Sequence, residues 1–160
     1  RADSKVNPPL RGARDRDVLR AGVLDGTIDV FATDHAPHGL DEKAQLLSAA
    51  PVGFSGLEIA VGAYALAFPE LPLARFVAML STNPARILGV PGGTLAVGSC
   101  ADVTVFADRT WTVDARLFRS RGKNTPFDGM TLPRRAIATI VEGAVVFEHG
   151  RVLPRDEVPA

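Results

Sequence analysis

The chain has 160 residues, 46% of them apolar, and its 18 basic and 18 acidic side chains cancel to a formal net charge of zero. That is enough apolar material for a core and too much for a disordered segment, while scattered basic residues leave no electrostatic footprint for nucleic acid or an anionic membrane. The single cysteine, Cys100, excludes a disulfide framework or thiolate cluster within these residues and fits a reducing, cytoplasmic setting.

In chain order, Lys5-Val6-Asn7 predicts the end of a short strand, which Pro8-Pro9 stops because neither proline can donate a ladder hydrogen bond. Asn7 is thereby presented at a strand mouth, although an Asn before a Pro turn is also ordinary turn chemistry. Lys5 and Arg11 read as solvated charges. Residues 15–24 set Val18, Leu19, Ala21, Val23 and Leu24 among Asp15, Arg16, Asp17 and Arg20, a periodicity that predicts an amphipathic helix of about ten residues. Asp15 can cap it and Asp25-Gly26 ends it.

Residues 28–32, IDVFA, are β-branched and aromatic and predict a buried strand, completing a strand-helix-strand unit with a right-handed crossover in a parallel sheet. Asp34, His35 and His38 then crowd around Pro37, just past the strand's C-terminal end, where α/β barrels and open sheets place their chemistry. Two readings compete there. Asp and His are common in such loops as a helix cap and as a tolerant irregular residue, or they form a site.

Residues 39–52 read as a polar connection in which Asp41-Glu42-Lys43 is a solvated face rather than a ligand set. Residues 56–68 and 73–80 predict packing helices separated by Pro69 and Pro72; the first includes the longest apolar run, which Glu58 interrupts and which is too short to span a bilayer. Thr82 and Pro84 predict the start of a short helix that Gly89 ends. From Gly92 the texture becomes β-rich, with strands expected over 94–95, 101–106 and 136–147. Asp102 reads there as a turn residue, His149 as surface, and Trp111 and Phe118 as plugs of the module.

Taken together, KVNPPLR (5–11), ATDHAPH (32–38), GxxGLE (53–58), TNPARILG (82–89), GxLxxGxxADxxVF (93–106) and KNTPFDG (123–129) resemble, in this order, the dihydroorotases of the amidohydrolase superfamily, particularly the type I bacterial form. The resemblance implies an α/β fold: the C-terminal part of a metal-dependent hydrolase (β/α)8 barrel over residues 1–90, and part of a small β-sandwich with a C-terminal extension over 91–160. Arg1 is not an initiator Met and no signal-peptide core follows it, so the expectation is the C-terminal portion of a longer chain.

By the same resemblance, Asp34 is both a metal ligand and the catalytic acid/base, Asn7 and His38 bind substrate, and Val52 and Gly53 contact it through the backbone. His35 is a supporting residue at most. The implied cofactor is Zn2+, one or two ions per site. No His-x-His and no marked bridging lysine occur here, so the other ligands lie outside these residues and this segment alone is expected to be inactive. The implied reaction is the reversible cyclisation of N-carbamoyl-L-aspartate to (S)-dihydroorotate in pyrimidine biosynthesis, in the cytoplasm, with a homodimer or aspartate transcarbamoylase as partner. The alternatives are another cyclic amidase, such as a hydantoinase or allantoinase, and an inactive subunit that assembles with aspartate transcarbamoylase.

Overall fold

The computed structural model describes residues 2–154. A short 3-10 turn, Ala2–Ser4, leads to the cis Asn7-Pro8 bond and then to helix α1, Ala13–Asp25. The helix starts two residues before Asp15, which sits in its first turn, and its N-cap is Gly12 with no side-chain bond, so Asp15 is not the cap expected of it. The stop is as the sequence reads: Gly26 turns left-handed at φ 97°, and the Asp25 carboxylate accepts the Thr27 N–H at 2.8 Å. Arg75 reaches across from a later helix and donates to the Leu24 and Val23 carbonyls, which the end of α1 leaves without helical donors.

Residues 28–32 do not form a sheet strand, and neither do residues 5–7. The expected parallel strand-helix-strand unit is therefore not formed as a ladder among the described residues, where parallel pairing is limited to one bridge between His35 and Phe54. Backbone groups must find partners, and those of this extended segment find them on helices and loops.

The chain then makes a one-turn helix α2, Leu40–Lys43, and a 3-10 turn, Leu57–Ile59, that runs into α3, Ala60–Ala67. Helix α4, Leu73–Val77, continues through a wide π-type turn, Ala78–Thr82, into α5, Asn83–Leu88, which Gly89 ends at φ 65°. The short helix expected after Thr82 is α5, with Pro84 in its first turn, but it runs on from the preceding turn and Thr82 does not cap it. The Thr82 backbone is helical, and its hydroxyl donates to the Gly93 carbonyl at 2.7 Å. Pro84 has no N–H and its ring crowds the preceding turn, and the widened turn absorbs both defects without breaking the rod.

The remainder is antiparallel. Strands β1 (Val103–Ala107), β4 (Arg135–Val141), β5 (Ala144–Glu148) and β6 (Arg151–Val152) form a sheet in the order β1-β4-β5-β6, while β2 (Trp111–Thr112) and β3 (Thr131–Leu132) pair as a separate ribbon. Residues 136–147, read from the sequence as one strand, are two, folded back at Glu142-Gly143 with φ 53° and 84°. Residues 94–95 are not a strand. Asp102 is the turn residue it was expected to be, its carboxylate accepting the Glu142 N–H at 2.7 Å. His149 lies at the β5–β6 turn with an exposed side chain.

Two apolar clusters hold these parts together. Val23, Ala65, Leu71, Phe76 and Met79 form the first, with Phe31, Tyr64 and Phe106 packed against it. Ile59, Val113, Ala115, Phe118 and Leu132 form the second, with Trp111 at its margin. Burying a side chain the size of Phe76 contributes about 2 kcal/mol, so α4 is tied firmly to both the extended segment and β1. Helix α1 contributes only Val23 to the buried set, and Val18 and Leu19 stay exposed. Among the described residues no helix is long and apolar enough to cross a membrane.

Candidate active site

Asp34 is exposed and holds a left-handed backbone at φ 46°, an uncommon conformation for a residue with a side chain. Such a residue persists when its surroundings over-determine it, and the segment around Asp34 is pinned from both sides. Upstream, Asn83 Nδ2 donates to the Asp29 carbonyl at 2.7 Å and the Phe31 N–H donates to the Met79 carbonyl at 3.0 Å. The Tyr64 hydroxyl donates to the Ala32 carbonyl at 2.5 Å while its ring stacks on Phe31 with centroids 4.3 Å apart. Burial raises the Tyr64 pKa, which keeps that hydroxyl a donor.

Downstream, His35 Nδ1 accepts the Gly56 and Leu57 N–H groups, each at 3.2 Å. Those are the orphan donors where the 3-10 turn before α3 begins. With Nδ1 an acceptor, the neutral ring carries its proton on Nε2. The Ala36 N–H donates to the Phe54 carbonyl at 3.1 Å. His38 follows, its N–H donating to Asn124 Oδ1 at 2.8 Å and its Nε2 bonded to the Val52 carbonyl at 2.8 Å. Its Nδ1 lies 3.8 Å from Glu42 Oε2.

The loop carrying Val52 and Gly53 is clamped by two ammonium groups. Lys43 Nζ donates to the Pro51 and Gly53 carbonyls, both at 2.9 Å, and Lys5 Nζ donates to those of Ser48 and Ala50 at 3.1 and 2.6 Å. Lys43 is 5% exposed, so the solvated reading of Asp41-Glu42-Lys43 fails at the lysine: Asp41 and Glu42 are exposed and Lys43 is buried. Lys5 is likewise engaged rather than solvated. Desolvation lowers the Lys43 pKa, the nearby charge of Lys5 adds to that, and Asp3 opposes it. Gly53 sits at φ 109°, and a Cβ there would lie 2.4 Å from the Ala36 Cβ, so the two loops touch closely only because residue 53 has no side chain.

A third segment locks both loops. Asn124 is 2% exposed; besides receiving the His38 N–H, its Nδ2 donates to the Gly53 carbonyl at 3.1 Å and its own carbonyl accepts the Ser55 N–H at 2.7 Å. The buried Ser55 hydroxyl donates to the Gly122 carbonyl at 2.6 Å. Contacts thus join His38, Val52 and Gly53, with Asp34 four residues before His38. Asn7 is exposed and enters through its neighbour, since the Lys5 carbonyl accepts the Gly53 N–H at 2.8 Å. The sequence reading places Lys43 on a solvated face and gives Ser55 and Asn124 no role, although the GxxGLE motif spans Ser55 and KNTPFDG spans Asn124.

A metal centre needs several donors. Of the three histidines in the chain, His35 and His38 have ring nitrogens bonded to backbone groups and His149 is on the β5–β6 turn. Among the described residues no group of three or more His, Cys, Asp or Glu side chains could hold a metal ion. Asp34 offers one carboxylate, and one ligand does not hold a divalent ion tightly. These residues by themselves do not fit a metal centre.

The model of the amidohydrolase family matches residues 5–146, a family that implies a metal cofactor. A dihydroorotase from Syntrophus aciditrophicus (strain SB) is 45% identical over 151 residues, covering 92% of this chain and 35% of that protein. One from Pelotomaculum thermopropionicum is 48% identical over 152 residues, covering 91% and 35%. Among solved structures, a D-hydantoinase (dihydropyrimidinase) from Thermus sp. superposes with a TM-score of 0.84 at 28% identity, covering 96% of this chain and 36% of that one. An L-hydantoinase (dihydropyrimidinase) from Arthrobacter aurescens gives 0.83 at 33% identity, covering 94% and 35%. The chain spans about a third of the length of the curated relatives it matches. Its α/β architecture is that of part of a metal-dependent hydrolase barrel with an attached β module, and the chain belongs to the amidohydrolase family.

Proposed function

We propose that this chain is the Asp34-bearing part of a dihydroorotase, which interconverts N-carbamoyl-L-aspartate and (S)-dihydroorotate. The observation that carries the reading is the left-handed, exposed Asp34, pinned on both sides and followed at once by the loop that His38, Val52 and Gly53 share. Identities of 45% and 48% to dihydroorotases, against 28% and 33% to the hydantoinases, favour this substrate.

Opening a cyclic amide needs a nucleophilic water, a polarised carbonyl and a proton carrier. In this reading Asp34 is the carrier. Water adds to the ring carbonyl carbon and gives a proton to the Asp34 carboxylate, the carbon–nitrogen bond breaks, and Asp34 delivers that proton to the departing ring nitrogen. Closure runs the same transfers backwards. Zinc, when bound, would supply Lewis acidity and lower the pKa of water to about 7. Asp34 is the one ligand these residues offer it, and the others would come from outside them. Asn7 pairs with the ring amide, Val52 and Gly53 meet substrate through the backbone, and His38 offers its Nδ1 edge because Nε2 is bonded to Val52. Residues 1–90 serve as the barrel part and 91–160 as the β module. A cytoplasmic setting and a homodimer, or association with aspartate transcarbamoylase, belong to the same reading.

The test is a substrate panel of dihydroorotate, hydantoin and allantoin on the full-length parent of this chain, with metal analysis and with Asp34→Asn alongside. Turnover of dihydroorotate that Asp34→Asn abolishes in a folded protein is the expected result. Turnover of hydantoin alone would establish the hydantoinase reading. Undiminished turnover in Asp34→Asn would remove Asp34 from the mechanism.

A further inference from the structure

We propose that Asn124 is a positioning residue of the substrate site, setting the His38 loop and the Val52–Gly53 backbone in a single geometry. The inference rests on the reading above that these two loops meet the substrate. Asn124 lies 86 residues from His38 and 71 from Gly53 in the sequence. Its one side-chain amide nevertheless serves both loops, Oδ1 taking the His38 N–H at 2.8 Å and Nδ2 giving to the Gly53 carbonyl at 3.1 Å. The amide is almost fully buried, so water cannot stand in for either partner.

Only an amide satisfies both contacts at once, because one loop presents a donor and the other an acceptor. A carboxylate of the same shape keeps the first contact and opposes the second. The backbone of the same segment is committed too, the Asn124 carbonyl receiving the Ser55 N–H at 2.7 Å. The His38 ring closes the circuit by bonding the Val52 carbonyl, so displacing either loop from Asn124 shifts the other. A shift of about 1 Å in a substrate-positioning group suffices to weaken a site strongly.

Hydrogen exchange on the full-length parent of this chain tests this without reference to any substrate. In Asn124→Ala, peptides covering residues 36–39 and 52–55 both lose protection. In Asn124→Asp, which keeps the acceptor for the His38 N–H, the loss is greater at 52–55. Unchanged protection of both loops in a folded variant overturns the proposal, and Asn124→Asp carries the test if the alanine variant does not fold. With dihydroorotate, KM rises about tenfold while kcat stays within about threefold and metal content is unchanged. A fall in kcat with KM unchanged overturns the proposal. If the wild-type full-length parent does not turn over dihydroorotate, the functional reading fails, and the exchange experiment still decides the role of Asn124.

Discussion

The Met79 carbonyl accepts the Phe31 N–H at 3.0 Å because its own helix has no donor for it. In the wide turn the Asn83 N–H bonds back to the Ala78 carbonyl, five residues away. By the same step the donor for Met79 would be residue 84, which is Pro84 and has no N–H. A local defect in one helix is thus the docking point for the extended segment that ends in Asp34.

Substitution of Pro84 by Ala tests that relationship. Removing a proline from within a helical run ordinarily stabilises it, by up to about 3 kcal/mol. Here the new N–H competes for the Met79 carbonyl, and leaving the Phe31 N–H unpaired costs about 1–3 kcal/mol. The expected outcome is no gain in Tm together with faster exchange of the Phe31 amide. A clear rise in Tm with Phe31 still protected would show that the carbonyl is not reserved for it.

Gly122 lies under the His38 loop, where a Cβ would come within 2.6 Å of the His38 nitrogen and 2.7 Å of its carbonyl oxygen. Both neighbours are backbone and cannot swing aside. Gly122→Ala is therefore expected to destabilise the fold by about 2 kcal/mol and to raise KM through the displaced loop. Denaturant unfolding and steady-state kinetics on the full-length parent check it, and wild-type values of both would mean that the loop yields freely.

Lys43 makes a prediction about pH. Its pKa in the fold is lowered from 10.5, first by desolvation. Between the folded pKa and 10.5 the unfolded chain binds more protons at this residue than the folded one. The Lys43 contribution to stability therefore rises with pH across that window and is constant below it. Lys43→Met removes the titration and leaves the Pro51 carbonyl without its ammonium donor, at a cost of about 1–3 kcal/mol. The stability gap between wild type and Lys43→Met should widen as alkaline pH approaches 10.5, measured by urea unfolding. A narrowing gap would contradict the assignment.

Local chemistry made several features legible in the sequence. The stops at Gly26 and Gly89, the turn role of Asp102 and the placing of Asp34 just after a short apolar run all follow from residue types within a few positions of one another. The three-dimensional partners did not follow. Asp41-Glu42-Lys43 looks solvated because nothing nearby says that residues 51–53 fold over the lysine and offer it two carbonyls. Pro84 marks a helix start correctly, but that this helix continues the one before it is not legible, because the i→i−5 bond that joins them leaves no trace in composition. Residues 28–32 have a strand's sequence, and that sequence determined an extended, half-buried segment. Whether its hydrogen bonds go to a ladder or to Met79, Tyr64 and Asn83 was decided by tertiary structure, since a backbone donor is satisfied by whichever acceptor packing brings to it.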